Sequence, residues 1–131
     1  MIAIDTNVLV RFLVGDDQDQ SESAVRFIDS LTSGEPGLIC RETLVELVCV
    51  LERTYRFKRT QISFALYELI DSSEIVIEDV DRIREVLGDY QTSDSVFSDL
   101  MIRSTALELG ATHVATFDKQ FAKSPNVELL S

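Results

Sequence analysis

Tryptophan is absent from the 131 residues, histidine occurs once, and there are two cysteines, two prolines and five glycines. The single imidazole, His113, falls early in an expected strand and reads as a structural residue, which argues against a Ser-His-Asp or Cys-His nucleophile relay. Cys40 and Cys49 lack C-x-x-C spacing, so they read as two buried thiols in a reducing compartment rather than a disulfide framework or a metal knuckle. With so little proline and glycine there is no linker, repeat or low-complexity tract, and residues 1–131 are expected to form a single domain. The longest apolar run, Leu47 to Leu51, is far shorter than the ~20 residues a membrane-spanning helix needs. Asp5 and Asn7 interrupt the N-terminus where an export signal would be apolar, so a cytoplasmic protein without a membrane partner is expected. Neither G-x-x-x-x-G-K-[ST] nor G-x-G-x-x-G occurs, which leaves no nucleotide cradle.

Positive charge is also scarce: 12 Lys+Arg oppose 23 Asp+Glu, a formal charge of −11. That balance opposes a polyanion over the surface as a whole. It is compatible with a small carboxylate cluster, which raises the negative count and seats a divalent cation. Four bases, Arg53, Arg56, Lys58 and Arg59, gather within seven positions. They read either as a solvated helix-end turn or as a nucleic-acid contact.

What remains is a globular composition, 45% hydrophobic and 27% charged, with short strands alternating with helices. Strands are expected at Met1–Ile4, Leu38–Cys40, Ile75–Ile77, Thr112–Phe117 and Val127–Leu130, the last at an edge. Helices are expected over Thr6-Asn7 (as cap) to Leu13, Ser21–Leu31, Arg41–Tyr55, Gln61–Ile70, Asp81–Tyr90 and Ser98–Leu109, the last ended by Gly110. The helix from Arg41 is apolar on most faces and should be deeply packed. This alternation predicts an α/β fold, a three-layer α/β/α sandwich with a central, mostly parallel sheet. In such sheets function collects beyond the carboxyl ends of the strands.

The acids fall accordingly. Asp5 follows Ile2-Ala3-Ile4 and Asp118 follows Val114-Ala115-Thr116-Phe117, each at a strand end where an aspartate either caps the next helix or does chemistry. Asn7 is a cap or an orienting partner of Asp5; Thr116 lies on the same side of its strand as Asp118. Glu46 sits between Leu44-Val45 and Leu47-Val48: buried, it would need a counter-charge or a metal, whereas on a wet stripe with Glu42 it would be solvated. Asp99 stands in the first turn of a helix, where the dipole also favours an acid, and Asp94 precedes it in a polar loop. Oxygen ligands of this kind suit Mg²⁺ or Mn²⁺, which can activate water for phosphodiester hydrolysis.

Ile4-Asp5-Thr6-Asn7-Val8-Leu9, Glu46-Leu47, Phe97-Ser98-Asp99 and Thr116-Phe117-Asp118-Lys119, in this order, resemble the PIN domain, and within it the VapC-type toxins of toxin–antitoxin pairs. The resemblance runs from Met1 to about Leu130. It implies a PIN-like fold and a Mg²⁺- or Mn²⁺-dependent endoribonuclease that is dimeric and inhibited by a cognate antitoxin protein. The catalytic acids carried over are Asp5, Glu46, Asp99 and Asp118, with Asp5, Asp99 and Asp118 as metal ligands and Asn7 and Thr116 in support. On the nucleic-acid reading of the basic cluster, which rests on its charge and not on the resemblance, Arg53, Arg56, Lys58 and Arg59 would contact RNA. Many relatives carry a further Asp where this chain has Val96. Two rival readings are a non-catalytic PIN-like interaction domain and an aspartyl phosphotransfer or phosphatase domain; the haloacid-dehalogenase form of the latter would want Asp where Asn7 stands.

Overall fold

The computed structural model describes residues 1–131, in two compact units, Met1–Val80 and Asp81–Ser131. In the first, β1 (Ile2–Ala3), β2 (Gly37–Ile39) and β3 (Ile75–Ile77) form a parallel sheet in the order β1-β2-β3. Ile2 aligns with Gly37, and Gly37 with Ile75. Between these strands run α1 (Thr6–Val14), α2 (Gln18–Ser30), α3 (Arg41–Arg53) and α4 (Arg59–Asp71); α1 packs on α2 and α3, and α4 on β3.

The second unit takes α5 (Val80–Thr92, its first residue closing the other unit), α6 (Phe97–Glu108) and two parallel strands, β4 (Val114–Thr116) and β5 (Val127–Leu129). A single 3-10 turn, Phe121–Lys123, lies between β4 and β5. The α/β class and the parallel pairing predicted from the alternation of elements are observed, with the strands divided into a three-stranded and a two-stranded sheet. No helix is long and apolar enough to cross a membrane.

The apolar spacing explains the packing. In α3, Leu44, Leu47, Val48 and Leu51 recur at three- and four-residue intervals and are buried, so one stripe enters the core. Contrary to the expectation of deep packing on most faces, Glu42 and Glu46 lie on an exposed face of the same helix. In the second unit Tyr90 and Phe97 are buried edge to face, ring centroids 5.7 Å apart, joining the end of α5 to the start of α6. Gly37 has a steric reason: a Cβ there would lie 2.5 Å from Ile4 Cδ1 and 2.9 Å from Leu31 Cδ1, both in buried side chains.

Several boundaries differ from those predicted. The cap of α1 is Asp5, whose carboxylate accepts from the Thr6 N–H at 2.8 Å, so Thr6 and Asn7 lie inside the helix. α2 starts at Gln18 rather than Ser21 because Asp17 accepts from the Gln20 N–H at 3.0 Å. α3 ends at Arg53, two residues before Tyr55. Strands are shorter than predicted: Cys40 leaves β2 to begin α3, and Thr112, His113 and Phe117 lie outside β4. Cys40 and Cys49 are free but only half-buried, not fully buried. His113 is exposed, paired with Glu128 at 2.7 Å and with the Thr112 hydroxyl at 2.8 Å.

Candidate functional site

In the first unit, Asp5 sits just beyond β1 in extended backbone (φ −77°, ψ 156°), because its side chain closes the first turn of α1. It is exposed, and shares with Asn7, Val8 and Arg11 the wall of a cavity of about 640 Å³ formed by β1, α1 and α2. Arg11 is held there by Asp16 at 2.9 Å and by Gln20 at 2.7 Å. The Tyr55 hydroxyl donates to the other oxygen of Asp16 at 2.9 Å. That hydrogen bond, aided by the charge of Arg11, holds the Asp16 carboxyl below its usual range.

Glu46, in the second turn of α3, is solvent-exposed with Glu42 one turn before it. Its chemistry is therefore that of a carboxylate on the wet stripe, without the burial that would by itself demand a counter-charge. Of the basic group, Arg53 ends α3, Lys58 precedes α4 and Arg59 begins it. Arg56 turns the chain between them at φ 58°. These residues thus form the connection between two helices, with Arg53, Arg56 and Lys58 exposed.

The second unit brings two of the predicted acids into electrostatic contact. Asp99 lies in the first turn of α6 and is half-buried. Burial, and then the negative charge of Asp118, push its carboxyl above the ordinary value. Asp118 follows β4, where its Oδ1 accepts from the backbone N–H groups of Gln120 at 2.8 Å and Phe121 at 3.1 Å. The Thr116 hydroxyl accepts from the Asp118 N–H at 3.0 Å, so the threonine fixes the turn that aims the carboxylate. Between them Phe117 is 77% exposed. Asp94 is exposed in the loop before α6, and the backbone of Val96 begins that helix without a side-chain cap.

Within this unit, then, the negative charge of Asp118 is felt at half-buried Asp99, and Thr116 fixes the turn that carries Asp118. No three His, Cys, Asp or Glu side chains come together as a group able to hold a metal ion. Two like charges, one disfavoured as an anion, are nevertheless a donor set that a hard dication relieves, since it cancels both the burial penalty and the repulsion.

Sequence reading missed a second feature of this unit. A cavity of about 300 Å³ is bounded by Ser93, Ser95, Arg103, Lys123 and Ser124 among others. The signal for Arg103 was available: it stands four residues after Asp99 on α6, a spacing that places both on one helix face.

The chain matches the PIN domain family over residues 2–126. The VapC ribonuclease of Aquifex aeolicus (strain VF5) is 28% identical over 124 residues, covering 94% of this chain and 91% of that protein. The crystal structure of VapC20 from Mycobacterium tuberculosis, described as a sarcin-ricin loop cleaving toxin, is similar at 17% identity and a TM-score of 0.47, covering 98% of each chain.

Proposed function

The chain belongs to the PIN domain family, and from that premise we propose that it is a metal-dependent endoribonuclease, the toxin of a toxin–antitoxin pair. The observation that carries the reading is the placement of two carboxylates, Asp99 half-buried at a helix start and Asp118 held by backbone amides at a strand end, with the charge of Asp118 felt at Asp99. The likeness to the VapC ribonuclease of Aquifex aeolicus supports RNA as the substrate.

Asp99 and Asp118 would hold Mg²⁺ or Mn²⁺, with Asp5 as a further ligand and Glu46 as the fourth acid, the last two assigned on the sequence pattern. The ion supplies Lewis-acid chemistry, activating water for attack at phosphorus and relieving charge on the leaving oxygen. The chain's own residues do the positioning. The Gln120 and Phe121 amides keep the Asp118 carboxylate from rotating, Thr116 fixes the backbone turn that carries it, and the Thr6 amide holds the carboxylate of Asp5. Asn7 supports Asp5 from the first turn of α1. Arg53, Arg56, Lys58 and Arg59 contact RNA phosphates.

The chain acts as one domain over 1–131, dimeric and cytoplasmic. Its antitoxin is a basic partner that places an arginine among the carboxylates, where a bidentate guanidinium substitutes for the cation's charge. The test is cleavage of single-stranded RNA with Mn²⁺ by the wild-type chain and by Asp99→Asn and Asp118→Asn. Loss of cleavage in both variants is the expected result. A wild-type rate in either overturns its assignment, and no cleavage by the wild type favours a non-catalytic interaction domain.

A further inference from the structure

The 300 Å³ cavity of the second unit has a wall rich in hydrogen-bond donors. The Arg103 side chain is only 14% exposed; its Nε donates to the Pro125 carbonyl at 2.6 Å and its Nη1 to Asp89 at 3.3 Å. A guanidinium has five N–H donors, so others remain to be used. Ser95, 3% exposed, and Ser124 share one hydrogen bond of 3.0 Å between their hydroxyls. Two hydroxyl hydrogens and one mutual bond leave an O–H to donate elsewhere. The Ser93 hydroxyl accepts from the Ser95 N–H at 3.3 Å and also keeps its own hydrogen. Lys123 adds an exposed ammonium. Asp89, the one carboxylate of the wall, is already matched by Arg103, which leaves the cavity with net positive charge in a chain of −11.

Unused donors around a positive, half-enclosed space call for a ligand that is all acceptor and negative, which describes a phosphate. Position narrows the source. Leu100, next to Asp99, and Gln120, whose amide holds Asp118, are both in the cavity wall, so the cavity lies against the segments that carry these two acids. We propose that it binds a backbone phosphate of the RNA chain adjacent to the bond that is cut, through Arg103, Lys123 and the Ser93 and Ser95–Ser124 hydroxyls. The choice of RNA rests on the nuclease reading; the phosphate chemistry rests on the cavity itself.

Binding is read without turnover, by amide NMR shifts of Ser93, Ser95 and Ser124 in the full chain without divalent metal. The three probes are inorganic phosphate, adenosine 5′-monophosphate and a ten-nucleotide single-stranded RNA. The expected result is that RNA shifts these amides at far lower concentration than either small anion. Lys123→Ala should lower the slope of log affinity against log salt by about 0.7, the value for one phosphate contact on a single strand. Arg26→Ala, removing an exposed cation of α2, should leave that slope unchanged. Arg103→Lys keeps the charge but loses the planar fork, and should weaken RNA binding about tenfold, as expected for one lost charge-assisted bond. Equal or tighter binding of the small anions overturns the assignment to the RNA chain. Unmoved amides with all three probes overturn the site altogether, even if RNA is cleaved with Mn²⁺. Shifted amides on a chain that never cleaves RNA keep the phosphate site and sink the nuclease reading.

Discussion

Asp5 combines a structural and a chemical assignment in one side chain, and the two are separable by substitution. Its carboxylate caps α1 through the Thr6 amide. Asparagine keeps the acceptor oxygen and removes the charge; alanine removes both. Asp5→Ala should therefore lose about 0.5–2 kcal/mol in urea unfolding, the usual range for a lost cap, while Asp5→Asn stays near wild type. RNA cleavage should be lost in both. Asp99 works in the opposite sense. Because burial and Asp118 raise its folded value, the folded state holds that proton more tightly than the unfolded chain does. The stability Asp99 contributes is full below its ordinary value and is lost as pH rises through the raised one. Asp99→Asn, which has no proton to lose, should therefore gain on wild type in melting temperature as pH rises through that raised value. The difference should shrink on acidification, as thermal scans across acidic to neutral pH would show. An inactive variant that gains on its parent in this way is the mark of a site strained for function.

At the scale of elements, the strands and helices were legible where local chemistry and tertiary packing agreed. Ile75–Ile77 reads as a strand from three β-branched residues and is one, and Gly110 stands at φ 100° just past α6, as a helix-ending glycine should. The start of α2 was missed because Gln18, Asp19 and Gln20 show no apolar periodicity; only the Asp17 cap declares it. The pairing of Asp99 with Asp118 was not legible as a distance, since it depends on how α6 and β4 are placed rather than on either segment alone. Nor does any proline or glycine mark the division at Val80, which falls at the first residue of α5. The wet face of α3 was undecidable for a related reason: apolar content sets how much of a helix is buried, and neighbours set which part. Gly37 offers the direct test of element packing. Gly37→Ala pushes a methyl into Ile4 and Leu31, and should cost about 1–3 kcal/mol, as overpacking of a core does. Ile4 immediately precedes Asp5, so the same variant should lower cleavage more than binding of RNA.

For the molecule as a whole, the −11 charge sets the response to salt. Self-repulsion weakens as the screening length falls to roughly 8–10 Å, so the melting temperature should rise between low and physiological ionic strength. A flat or falling melting temperature over that range would mean that local ion pairs, such as Arg103–Asp89, outweigh the global field. The buried Tyr90–Phe97 pair also gives the chain a built-in optical reporter. With no indole to mask it, Tyr90 is the one phenol of Asp81–Ser131, whereas Tyr55 and Tyr67 belong to Met1–Val80. Subtracting the fluorescence of Tyr90→Phe from that of the parent therefore isolates the melting of Asp81–Ser131, and its coincidence with the Tyr90→Phe curve is the signature of a single cooperative transition.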